Sequence, residues 1–265
     1  MARRRRPCPR CRATSASWST ILPLIRDLSP SPTARALTAT RFCVVVDVSR
    51  ETSGRDAAVS DVEIEPSVAA ELFGDRIELA RQFSAALTEH GEERGLIGPL
   101  ELPRLWTRHI LNSVIAAPLF HGSVADIGSG AGLPGIVLAI ARPDVQWTLI
   151  EPMERRVIWL NEQVAELHLD NVEVLRARAE DVSRPVGFDV VTARAVSALK
   201  TLIPLTAPLV RDGGELILLK GMNADNEIDA AQKQIKKFRL SHVRVERLGE
   251  NVLPETTRVV RAVVR

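Results

Sequence analysis

No stretch of this 265-residue chain approaches the ~20 consecutive apolar residues that cross a bilayer, and the longest runs, such as 136–141, are soon broken by charge or proline. A membrane-spanning segment is therefore not expected. Cysteine is equally scarce: Cys8, Cys11 and Cys43 cannot all pair, and residues 44–265 contain none, so a reducing, cytoplasmic setting is expected. Cys8 and Cys11 resemble half of a zinc site, but with no second pair they are read as solvated thiols, and no metal is expected. The start, MARRRRPCPRC, is basic but lacks the continuous apolar stretch and small-residue cleavage site of a secretion signal.

Charge of one sign is also missing overall, because a net +2 conceals two opposed regions. Residues 1–60 hold 11 arginines against 4 acids, whereas residues 61–265 hold 24 basic residues against 29 acids. Bulk charge thus gives no support for nucleic-acid binding, and any such reading rests on where the basic residues lie.

Residues 1–60, rich in Arg, Ser, Thr and Pro, show no sustained apolar period and are expected to form a disordered basic extension. From 66 to 90, Val68, Leu72, Ile77, Ala80, Phe83 and Leu87 recur at helical spacing with a break at Gly74. A second helix is expected over 103–117, after a turn-rich loop, GEERGLIGPLELP. Together these predict a small helical cap over 61–120. Beyond it, short apolar runs at 124–127, 146–150, 172–175, 188–192 and 215–219 alternate with helical patterns, and 242–246 and 258–264 form a terminal antiparallel pair. That succession predicts a mostly parallel, doubly wound α/β domain over 121–265.

Asp126-Ile-Gly128-Ser-Gly130-Ala-Gly132-Leu-Pro134-Gly135 follows the first of these strands and opens a helix. Glycines there permit a tight turn and close approach of a ligand to backbone N–H groups. Gly130, Gly132 and Gly135 also spell a G-x-G-x-x-G, so a nicotinamide-dependent oxidoreductase is a competing reading. Asp126 would repel a pyrophosphate but suits an ammonium group, Glu151 at the end of the second strand suits ribose hydroxyls, and Glu180 offers a polar edge after the third.

These residues carry a family resemblance. DIGSGAGLPGIVLAI (126–140) is very similar to the glycine motif of the RsmG (GidB) family of 16S rRNA guanine-N7 methyltransferases, and WTRHILNSV (106–114) resembles that family's R-H-I-x-[DN]-S segment. ARAED, TARAVSAL and LLKG match in order and spacing, so the resemblance covers about 100–265. It implies a class I, Rossmann-like methyltransferase fold with a seven-stranded sheet, S-adenosyl-L-methionine as cofactor, and 16S rRNA or the small ribosomal subunit as partner of a monomer. It further implies cofactor contacts from Gly128, Leu133, Ala179, Glu180 and Arg194, to which the glycine turn adds Gly130. The chain departs from the family in lacking a W-N-x-x-x-N-L-T segment, where GEERGLIGPLELP stands instead, and in its basic extension.

Arg155 and Arg156 follow the second strand, Arg176 and Arg178 the third, Arg194 the fourth and Lys220 the fifth, so all fall on the rim where the cofactor is expected. With Arg108 and His109 of the cap they suggest a local basic mouth for RNA phosphates: Arg108, His109, Arg155, Arg156 and Arg176 as RNA contacts, and Arg178, Arg194 and Lys220 nearest the chemistry. Absences narrow the reaction. Pyrimidine C5 methylation needs a cysteine nucleophile, and the expected catalytic region has none. The Asn/Asp-Pro-Pro-aromatic string of exocyclic amine methylation is replaced by Thr192-Ala-Arg194-Ala-Val196. Ribose 2′-O methylation would use a lysine with supporting acids, yet Arg194 stands where a carboxylate would help. Guanine N7 has a free lone pair and needs no proton removed, which suits an arginine-rich site without a general base. A silent RNA-binding protein on the same fold is a third reading, opposed by the intact Asp126, Glu151 and Glu180. Trp106, Trp147 and Trp159 are expected in packing, with Trp106 the one candidate for base stacking.

Overall fold

The computed structural model describes residues 62–183, 186–194 and 197–265; the expected basic extension, with its cysteines and arginine run, lies outside the described residues. Helix α1 (Val68–Phe73) and helix α2 (Ile77–His90) are separated by a 3-10 turn that begins at the expected break, Gly74. α2 buries Ala80, Phe83, Ser84 and Leu87, whose spacing of three and four turns one face to the core.

The second helical stretch differs from expectation. A 3-10 segment, Pro99–Arg104, takes up the end of the predicted loop and leads into a π-helical segment, Leu105–Leu111, and one α-turn, Asn112–Val114. Pro103 has no N–H for a regular α-ladder, and over so short a run an apolar period does not separate a 3.6-residue turn from a wider one.

Seven strands then form one sheet in the order β3-β2-β1-β4-β5-β7-β6. They are β1 (Ser123–Ile127), β2 (Gln146–Ile150), β3 (Val172–Leu175), β4 (Phe188–Arg194), β5 (Val210–Lys220), β6 (Leu240–Leu248) and β7 (Thr257–Val264). The first five are parallel, and β7 inserts antiparallel between β5 and β6. This is the doubly wound, Rossmann-like sheet of a class I methyltransferase. A dinucleotide-binding sheet instead keeps its strands parallel in the order 3-2-1-4-5-6, so the topology goes against the nicotinamide reading.

Alternation along the strands divides the core between the two faces. Val124, Trp147, Leu149, Ile217 and Leu219 pack with the N-terminal helices, α3 (Gly135–Ala141) and α4 (Glu154–Glu166). Ala125, Ile150, Leu216 and Leu218 pack with α5 (Leu199–Thr206), α6 (Ala224–Ala230) and α7 (Gln232–Lys237). A register shift between Phe188 and Val190 lets both point to different faces although two residues apart. The N-terminal helices share an unbroken apolar cluster with the sheet, so the cap has no core of its own. Strand order reverses at β1/β4, and in this architecture the crevice beyond the carboxyl ends at that point is where ligands bind. No helix among the described residues is long and apolar enough to cross a membrane.

Candidate active site

A cleft of about 590 Å³ opens at that crevice, within the size range of small-ligand sites. One wall is the turn after β1, with Gly128, Gly130 and Leu133, together with Glu151, Met153 and Arg156 beyond β2. The other is the cap segment with Leu96, Ile97, Glu101 and His109, and Arg194 at the end of β4 closes the back.

The glycine turn is held from behind. Gly128, Gly130 and Gly132 all have left-handed φ angles, of 69°, 55° and 93°. Asp126 is fully buried; one carboxylate oxygen accepts the Gly135 N–H at 3.1 Å and the other has no hydrogen-bond partner among the described residues. Burial pushes this carboxyl up to about 7, and the Ser129 side chain, the Gly135 N–H and the Arg194 charge only partly oppose it. Gly135 owes its identity to this contact, because a Cβ there would stand 2.6 Å from the Asp126 Oδ2 and 2.4 Å from Leu149. Glu151, 2 % exposed, accepts the Gly130 N–H at 3.0 Å and the Met153 N–H at 2.9 Å, which ties the turn to the start of α4. Trp159 of α4 adds a third brace through its indole N–H, 3.0 Å from the Ala131 carbonyl.

Across the cleft a polar chain links the cap to β4. Glu101 Oε2 lies 2.7 Å from His109 Nε2 and 3.2 Å from Arg108 Nε, and its Oε1 accepts from Arg104 at 3.1 Å. The other ring nitrogen of His109 bonds to Arg194 Nη2. Arg194 Nη1 reaches the His109 carbonyl at 3.2 Å and Ser113 Oγ at 3.3 Å. His109 is only 8 % exposed, and burial beside the Arg194 charge lowers it to about 4 despite the opposing pull of Glu101. Burial also lowers Arg194, to about 10, so it keeps its charge at neutral pH. Burial raises the Glu101 carboxyl, but hydrogen bonds from His109 and Arg104 outweigh it and leave the net shift downward.

Of the residues expected at the site, Gly128, Gly130, Leu133, Glu151, His109, Arg156 and Arg194 come together around the cleft. Asp126 stands behind it and does not line it. Arg178, Ala179 and Glu180 follow β3 at the same end of the sheet, in and beside a single 3-10 turn, outside the lining. Lys220 is committed elsewhere: its ammonium lies 2.7 Å from the Ser197 carbonyl and 2.8 Å from Glu227, which also holds the Leu199 N–H that opens α5. It braces the β4–α5 connection and does not face the cleft, because β5 lies one strand beyond the switch point.

The basic mouth is partly neutralised from within. Arg108 pairs with Glu101, Arg176 with Glu154 at 2.9 Å, and Arg156 lies 3.9 Å from Glu151. Arg155 and Arg178 have no ion-pair partner among the described residues. Trp106 is 4 % exposed and packs in the apolar core, so no stacking face is offered; Trp147 and Trp159 are buried as expected. Glu101 was not foreseen. Nothing in the string distinguishes it from Glu92 or Glu93, and only the fold sets it against His109.

The model of the GidB family, "rRNA small subunit methyltransferase G", matches residues 76–257. The Ribosomal RNA small subunit methyltransferase G of Leifsonia xyli subsp. xyli is 67 % identical over 205 residues, 77 % of this chain and 98 % of that protein. Its counterpart from Clavibacter michiganensis subsp. michiganensis is 63 % identical over 202 residues, 76 % of this chain and 96 % of that protein. The Pseudarthrobacter chlorophenolicus protein of the same name is 56 % identical over 198 residues, covering 74 % and 92 %.

Proposed function

The chain belongs to the rRNA small subunit methyltransferase G (RsmG, or GidB) family, and from that premise we propose that it methylates N7 of one guanine in 16S rRNA, in the cytoplasm, with S-adenosyl-L-methionine as donor. The observation that carries the reaction type is the lack of a free base among the described residues that line the cleft. Its titratable lining groups are Glu101, Glu151, His109, Arg156 and Arg194; both carboxylates already accept protein N–H groups, and both nitrogens of His109 are bonded. An acceptor that must lose a proton before attack is poorly served there, whereas guanine N7 presents its lone pair directly.

The donor fits what is present. The cleft volume suits a ligand of its size, the glycine turn lets backbone approach its methionine end, and Leu96, Ile97, Leu133 and Met153 offer apolar contact. When bound, S-adenosyl-L-methionine supplies an electrophilic sulfonium methyl whose positive charge passes to the base on transfer. Because charge moves and none is created, the protein's task is chiefly alignment. Gly128, Gly130 and Leu133 shape the seat, and Glu151 has lone-pair capacity beyond its two backbone bonds for ribose hydroxyls. Ala179 and Glu180 edge the adenine end. Asp126 acts indirectly, by fixing the turn through Gly135. Arg194 borders the transfer point, where its remaining N–H groups contact the cofactor and orient the acceptor, and the unpaired Arg155 and Arg178 hold RNA phosphates.

Transfer of radiolabelled methyl to 16S rRNA, naked and within 30S subunits, with cleavage mapping of N7-methylguanine, tests the reading. One labelled guanine is expected. Cofactor binding without transfer to either form would move the assignment to another acceptor or to RNA binding alone.

A further inference from the structure

Arg194 reaches the cleft from the end of a strand on a long side chain with several free torsions, so something must fix where its guanidinium points. The cap supplies that constraint. Arg194 offers only donors, so the His109 Nδ1 it bonds must be an acceptor. The single ring proton of a neutral His109 then resides on Nε2, the nitrogen 2.7 Å from the Glu101 carboxylate. Glu101 stabilises that tautomer by accepting the Nε2–H, and is itself held by Arg104 and Arg108. The result is a directed chain in which each link has only one workable polarity: carboxylate, imidazole, guanidinium.

We propose that His109 is a positioning residue for Arg194, held as the Nε2–H tautomer by Glu101, and that the cap thereby sets the cleft's cationic wall. Two further observations support this. The Arg194 Nη1 contacts fall on His109's own carbonyl and on Ser113 Oγ, which itself bonds that carbonyl at 2.7 Å, so His109 of the π-helical segment and Ser113 of the α-turn that follows it together grip both terminal nitrogens of the fork. His109 is buried with both ring nitrogens occupied, so it is not free to contact RNA as the sequence suggested without releasing Arg194. Glu101 belongs to the GEERGLIGPLELP segment, where the chain departs from its family's usual string, and this relay gives that segment a task at the site.

The inference rests on the reading of this cleft as the S-adenosyl-L-methionine site, and the experiment separates the two. Affinity for S-adenosyl-L-methionine is measured calorimetrically on the full chain as wild type, His109→Phe, His109→Gln and Glu101→Gln, alongside Tm. His109→Phe keeps the bulk but offers Arg194 no acceptor, and about a tenfold rise in Kd is expected. His109→Gln retains an amide oxygen for Arg194 and an NH2 for Glu101, and should recover most of the loss. Glu101→Gln should fall between wild type and Phe. Histidine ring 15N shifts at pH 7 should show His109 neutral with its proton on Nε2. Wild-type binding with an unchanged His109→Phe, a Gln variant no better than Phe, or a proton on Nδ1 overturns the proposal alone. Failure of wild type to bind the cofactor overturns the site reading, and the proposal with it.

Discussion

The two ends of the parallel sheet each hold an aspartate, one half-buried and one fully buried, and the two are treated in opposite ways. Asp189, near the start of β4, accepts the Ser123 N–H and the Ser123 hydroxyl, both at 2.8 Å, and the Arg211 Nε–H at 2.6 Å. Those donors, the Ser123 backbone N–H foremost, lower its carboxyl to about 2. Asp126, near the end of β1 on the adjacent strand, is fully buried, has one oxygen without a hydrogen-bond partner among the described residues, and is raised by burial to about 7. One end is arranged for stability. The other stores an unfavourable carboxylate beneath the ligand turn, as expected where geometry serves a site at some cost to the fold.

Each aspartate also has a glycine pressed against it, and this gives the largest expected effects. A Cβ at Gly122 would stand 2.4 Å from Asp189 Oδ2, at a φ of 63° that side chains rarely adopt. Gly122→Ala should cost roughly 3 kcal/mol, read as a lowered urea midpoint, while the protein that remains folded binds cofactor normally. Gly135→Ala meets Asp126 and Leu149 and should cost about 2 kcal/mol. It should also lose cofactor affinity, because the turn is displaced. Retained affinity in Gly135→Ala, or lost affinity in folded Gly122→Ala, would break the division between the ends.

Next come the pH dependences, which run in opposite directions. Asp189 has a folded value near 2, below its ordinary 3.8, so its contribution is present above about pH 4 and is lost as pH falls through 2. After discounting for partial exposure this amounts to about 1–2 kcal/mol, and Asp189→Asn should remove it. Asp126 has a folded value near 7, above its ordinary 3.8, so its contribution is fully present below about pH 4 and declines as pH rises through 7. Asp126→Asn should flatten that decline in urea titrations between pH 4 and 8. A variant curve parallel to wild type over that range would show that burial at β1 does not destabilise the ionised carboxylate.

The same contrast explains what could be read in the string. The glycine turn, Glu151 and Arg194 were legible because their placement is local: each follows directly from where a strand ends. The terminal β6–β7 pair was legible for a related reason, since a short connection joins two apolar runs. Glu101 was not, because its partners are eight residues away in the chain at His109 and, through that ring, at Arg194 on β4. Lys220 misled because its position on the rim said nothing of Glu227, which the fold of α6 brings to its ammonium. The π-helical turn at Leu105–Leu111 escaped for want of length, since seven residues do not fix a helical period.

Smaller effects sharpen the comparison within the functional end itself. Arg178 has no ion-pair partner among the described residues, whereas Arg176 is paired with Glu154, both largely exposed. Arg178→Ala should weaken RNA binding several-fold and reduce the salt slope by roughly 0.7–0.9, the release expected for one phosphate contact, with cofactor affinity unchanged. Arg176→Ala should do less, because part of its charge is already spent on Glu154. Equal slopes for the two variants would mean that the internal pairing does not govern which arginine meets phosphate.

The smallest expected change is at Trp159, whose indole N–H braces the cleft turn from α4, and over whose ring Arg94 of the cap lies at 5.4 Å. Trp159→Phe keeps an aromatic face for Arg94 and removes the hydrogen bond to the Ala131 carbonyl, worth about 1 kcal/mol. Where that loss appears is informative. If the turn is preformed by Asp126 and Glu151, the cost falls on Tm and cofactor affinity holds. A selective loss of cofactor affinity at unchanged Tm would show instead that α4 sets the shape of the turn, with Arg94 linking that shape to the cap on the opposite wall.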